Sequence, residues 1–89
     1  MEVVLLNFLR RAAGEGRVEL EAATAGELLV ALAARYGEAF RRELLTPEGD
    51  LKAGIAILVN GRNVSFLQGL ATPLDPRDKV TIIPPIAGG

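Results

Sequence analysis

Residues 78–89 read DKVTIIPPIAGG, and the way this run stops decides the fold. Val80, Ile82 and Ile83 give residues 79–83 the β-branched density of a strand. Pro84 and Pro85 have no amide hydrogen, so neither extends a ladder in both directions, and the strand ends there. Beyond them only Ile86 has much surface to bury; Ala87, Gly88 and Gly89 have almost none. The expectation is a folded body over residues 1–83 and a projecting tail over residues 84–89, with a reach of at most roughly 20 Å.

A strand this apolar belongs inside a sheet and needs partners on both sides. EVVLLNFL, residues 2–9, supplies one: it is rich in β-formers and apolar on both faces, and it reads as a central strand. Gly14-Glu15-Gly16 turns the chain into RVELEA, residues 17–22. There Val18, Leu20 and Ala22 alternate with Arg17, Glu19 and Glu21, as in a half-exposed strand returning in a hairpin.

TAGELLVALAARYG, residues 24–37, changes period. Thr24 followed by Glu27 makes a capping box, Leu28, Leu32 and Tyr36 recur every fourth residue beside Ala25 and Leu29, and Gly37 stops the run. This predicts an amphipathic helix of about three and a half turns. EAFRREL, residues 38–44, is a short second helical segment and residues 46–54 a loop. IAILVNGRNV, residues 55–64, reads as a strand, an Asn60-Gly61 turn and a short strand. Residues 66–78 connect it to the last strand, punctuated by Gly69, Pro73 and Pro76.

The predicted order is β-β-α-(short helix)-β-β-β. The helix must hide its apolar stripe, and the sheet has a face to cover, so the two pack together. The first and last strands suit the centre of the sheet; as parallel neighbours they would use the whole intervening chain as the crossover. That arrangement is the ubiquitin-like β-grasp. It is an α+β fold with a mixed sheet of four to five strands and one main helix packed across it.

Eighty-nine residues, 49% of them hydrophobic, make one domain. Ten basic residues against eleven acidic ones leave a net charge of −1, with Arg10-Arg11 and Arg41-Arg42 the basic doublets. No field of that size recruits nucleic acid or a membrane surface. The apolar stretch VVLLNFL, residues 3–9, is too short to span a bilayer, so a cytoplasmic protein is expected. The absence of cysteine and histidine removes thiol nucleophiles, disulfides, imidazole bases and the usual zinc ligands. Glu48 and Asp50 sit in a loop without companion ligands, and the Gly14–Gly16 turn lacks the spacing of a phosphate loop. No bound cofactor or metal is expected.

The chemistry is therefore sought in the tail. Without a Cβ, Gly88 and Gly89 can thread a narrow channel and adopt backbone angles closed to other residues. A terminal glycine carboxylate, once activated as an acyl adenylate, is open to attack by sulfur or nitrogen.

With these residues the chain resembles the MoaD/ThiS ubiquitin-like sulfur carriers, and above all the small subunit of molybdopterin synthase. The resemblance rests on DKVTIIPPIAGG, residues 78–89, supported by LVNGRNVSF at 58–66, TPLDPRD at 72–78 and LRRAAG at 9–14. It implies that a ubiquitin-activating-like adenylyltransferase uses ATP to adenylate Gly89. A sulfur-donor enzyme then converts the adenylate to a thiocarboxylate, with Gly88 the slim residue behind it. The tail residues Pro84, Pro85, Ile86 and Ala87 would enter the molybdopterin synthase large subunit, which supplies the catalytic side chains that make the dithiolene. Members of this family dock through an apolar patch on the sheet, in which alternation and alignment place Leu6 and Ile83. Asn63 departs from the large apolar residue some relatives carry, and the GLAT of residues 69–72 is similar to a carrier of a cysteine-synthesis route. Sulfur for cysteine, thiamin or thiolated tRNA is thus an alternative destination. Another is a protein modifier joined to lysines through Gly89, and a third reading is an interaction module with an inert tail.

Overall fold

The computed structural model describes residues 1–85. The strands are β1 (Glu2–Leu5), β2 (Arg17–Glu19), β3 (Ala56–Val59), β4 (Arg62–Asn63) and β5 (Lys79–Ile83). The helices are α1 (Phe8–Ala13), α2 (Ala25–Tyr36) and α3 (Glu38–Leu44). The sheet runs β2-β1-β5-β3-β4. β1 and β5 are parallel, with Leu5 opposite Ile82, and the other three pairings are antiparallel. This is the β-grasp: the two apolar strands at the centre, and the intervening chain as their crossover.

One face of the sheet is closed. Val3, Leu5, Ile57, Val80 and Ile82 join Ala25, Leu28, Leu29 and Leu32 of α2 in a single core, most of them wholly inaccessible. Phe40 and Leu44 of α3 complete it. The period-two alternation of the strands and the four-residue period of α2 are thus two sides of one apolar layer.

Two signals in the chain have direct structural counterparts. The hydroxyl of Thr24 accepts from the Glu27 amide at 3.2 Å, capping the first turn of α2. Thr24→Ala is expected to cost about 1 kcal/mol, seen as a lower denaturant midpoint at unchanged slope. Asn60 and Gly61 have φ of 51° and 85°, the left-handed pair that a two-residue hairpin demands. The Asn60 side chain also accepts from the Lys79 amide at 3.0 Å and donates to Asp78 at 2.9 Å, tying the turn to the start of β5.

The first strand is shorter than residues 2–9. Pairing stops at Leu5, Asn7 turns the chain at φ 53°, and Phe8–Ala13 form α1, closed by Gly14 at φ 83°. α1 packs on α3 and buries Leu9 completely. A short apolar run serves either period equally well, and here the packing partner rather than the propensity chose the helix. The second strand likewise ends at Glu19 rather than Ala22, although Leu20 and Ala22 still pack against the core. The 66–78 connection is partly ordered by 3-10 turns at Val64–Phe66 and Gly69–Ala71. It straps the start of α2, with Ala25 donating to the Thr72 carbonyl at 3.0 Å.

Candidate functional site

β5 delivers the chain to the tail, so the site is built around its end. Val80 and Ile82 point into the core; Thr81 and Ile83 face the opposite, uncovered side of the sheet and are half-buried. Register assembles that open face in rows. Val4 of β1 lies opposite Thr81, which lies opposite Leu58 of β3. One row nearer the tail, Ile83 is paired with Ala56. On its other side Leu6 donates its amide to the Ile82 carbonyl at 3.3 Å, which sets Leu6 beside Ile83. The two predicted patch residues are brought together, each half-exposed. Val4, Leu58 and Ala56 belong to the same face, and the alternation of EVVL and AILV carried the signal that could have found them.

Pro84 corrects the sequence-based boundary. It was expected in the projecting tail among the contacts to a partner, yet its side chain is fully buried and the folded body therefore includes it. Pro85 is exposed but lies over Gly54, where a Cβ would stand 3.1 Å from the proline ring. Gly54 also has φ 88°, so both its backbone and its bare Cα are used to seat the exit. The proline that cannot extend the ladder is packed instead. Ile86, Ala87, Gly88 and Gly89, also predicted to act in the tail, lie outside the described residues.

Next to Leu6 is a shallow pocket of about 320 Å³ lined by Val4, Leu5, Leu6, Arg10, Gly16 and Arg17. Arg17 pairs with Glu2 at 2.8 Å. The groups whose titration is displaced lie elsewhere. Burial, and then the hydrogen bond to the Glu15 carboxylate, push the Tyr36 hydroxyl up, and its bond to Tyr36 raises Arg35. The backbone amide and guanidinium of Arg77 hold Asp75 down. None of these three groups lines the pocket beside Leu6. Among the described residues no group of three or more acidic side chains is arranged to hold a metal, and no helix is long and apolar enough to cross a membrane.

β5 thus runs along an apolar face of the sheet and leads toward residues 86–89. The ThiS family profile matches residues 3–89, nearly the whole chain and the tail with it. The chain belongs to the ThiS family. Its relatives within reach of sequence carry two kinds of description. Small archaeal modifier protein 3 of Haloferax volcanii is 43% identical over 67 residues, 75% of this chain and 71% of that one. Sulfur carrier protein CysO of Mycobacterium tuberculosis is 37% identical over 78 residues, 85% of this chain and 83% of that one. Among solved structures, the BexX/CysO complex of Amycolatopsis orientalis contains a chain that superposes with a TM-score of 0.84 at 32% identity, covering 99% of this chain and 98% of that one. The β-grasp assignment and the membership of the ThiS-type ubiquitin-like proteins therefore stand on both topology and descent.

Proposed function

We propose that this ThiS-family protein is a cytoplasmic sulfur carrier whose terminal Gly89 is adenylated and then converted to a thiocarboxylate. The Gly89 carboxylate oxygen attacks the α-phosphorus of ATP and pyrophosphate leaves. Hydrosulfide, the sulfide-level form of sulfur that a donor enzyme releases, then attacks the carbonyl carbon. AMP leaves with the bonding electrons of the C–O bond, and the sulfur's proton goes to solvent, leaving the thiocarboxylate. A ubiquitin-activating-like adenylyltransferase supplies the site for the first step, and this chain contributes the acyl group and the docking face. The observation that carries the reading is the family match running through residue 89, on a body in which Pro84 is buried and Pro85 lies over Gly54. Leu6 and Ile83 dock the activating enzyme and the acceptor, one after the other, and Ile86, Ala87 and Gly88 occupy the channel.

The acceptor we place first is the large subunit of molybdopterin synthase, on the resemblance of residues 78–89. A cysteine-synthesis enzyme is the alternative favoured by the likeness to CysO. A second reading, a modifier joined to lysines through Gly89, is supported by the 43% identity to a small archaeal modifier protein.

Intact mass of the protein purified from its native host separates these. A species in which one terminal oxygen has become sulfur is the expected result. Larger conjugates that vanish when Gly89 is deleted would favour the modifier. If neither state is present, even after incubation with the adenylating enzyme and ATP, the carrier reading is lost. Co-purification of a molybdopterin synthase large subunit, or instead of a cysteine synthase, decides the destination.

A further inference from the structure

We infer that the pocket beside Leu6 receives an acidic side chain of the adenylating enzyme, with Arg10 as its principal partner. This rests on the carrier reading and specifies the chemistry of the docking surface, which that reading leaves apolar.

The pocket is continuous with the docking face, since Val4 and Leu6 belong to both. Its other walls are Arg10, Gly16 and Arg17, and none of the lining residues carries a carboxylate. The neighbouring acids are already engaged: Glu2 by Arg17, and Glu15 by Tyr36 and Arg35. Among the described residues no acid lies within ion-pair distance of Arg10, which is exposed.

The Arg10 stem also runs close over Gly16. Its Cδ lies 3.0 Å and its Nε 3.1 Å from where a Cβ on Gly16 would stand, so its stem is laid across the bare glycine. A guanidinium whose stem is packed in this way loses less freedom when it pairs. A cation without an acidic partner among the described residues, beside an apolar patch, fits a partner that presents a carboxylate next to an apolar side chain. It would contribute orientation and encounter rate as well as affinity.

The test uses full-length protein and the host's adenylating enzyme, with ATP–pyrophosphate exchange as the readout. Arg10→Glu is expected to raise the KM for the carrier about tenfold or more while leaving kcat unchanged. Arg10→Ala should fall between, and Arg10→Lys should recover most of the loss. The difference between Arg10→Glu and wild type should shrink as salt approaches about 0.5 M. Arg62→Glu, on the far edge strand, should behave as wild type. Thermal unfolding confirms that each variant folds, and Arg10→Ala carries the test if the reversal does not. A KM within about twofold of wild type for both variants, or a loss that salt leaves untouched, overturns the inference while the tail chemistry stands. If wild type itself shows no Gly89-dependent exchange, the carrier reading falls and this inference with it.

Discussion

Deleting Gly89 is expected to abolish adenylation and thiocarboxylation while leaving thermal unfolding unchanged. Pro84 is buried and Pro85 lies over Gly54, so the residues that follow are counted from a fixed point. Removing one residue withdraws the carboxylate by up to about 3.5 Å. Misplacing a reacting group by about 1 Å already costs on the order of a hundredfold, so the loss should exceed that by a wide margin. Gly88→Val tests the other half of the idea. It keeps the length but adds a β-branched side chain where the channel must be slim, and it should also fail as a substrate. Pyrophosphate exchange and intact mass read both variants. A deletion variant that is thiocarboxylated on Gly88 as fast as wild type on Gly89 would show that the enzyme does not measure the tail, and the placement would be wrong.

The second large effect concerns two adjacent residues that should fail in opposite ways. Ile82 is wholly inaccessible at the centre of the sheet, opposite Leu5 and Ile57. Ile82→Ala removes buried methylenes that the neighbouring strands cannot collapse to replace, at a cost of about 2–5 kcal/mol. A domain of this size is stable by about 5–15 kcal/mol in all, so the variant should unfold at a much lower denaturant concentration. Ile83 faces the open side and is half-exposed. Ile83→Asp should change stability by no more than about 1 kcal/mol, yet impair exchange with the adenylating enzyme, because it puts a charge into the apolar docking face. Equal destabilisation by the two substitutions would mean that Ile83 is a packing residue, and the docking face would lose its centre.

Much of this was legible in the chain. Thr24 with Glu27, the Leu28-Leu32-Tyr36 spacing and Gly37 mark α2 to within a residue, because caps and period act locally. Asn60-Gly61 announces its hairpin for the same reason. Leu6 and Ile83 were placed on one face by alternation together with the resemblance to the family, and alternation is a property a strand carries locally. α1 was missed, although Asn7 and Gly14 frame it: FLRRAA is too short for its period to speak, and only the contact with α3 makes a helix the better burial of Leu9. Pro84 was misplaced because a proline signals where a ladder ends and says nothing about whether its ring is then buried.

By itself the sequence determined α2, α3, the strands and their order, and the slim glycine ending, though not α1, because each depends on residues a few positions apart. Tertiary structure alone decided that Arg10 would lie across Gly16, that Gly54 would seat Pro85, and that Leu6, Ile83 and Ala56 would share one row. The last two join segments far apart in the chain, and the first joins α1 to the turn before β2. Their formation depends on which strands pair and in what register, and that is settled only when the whole core closes around α2.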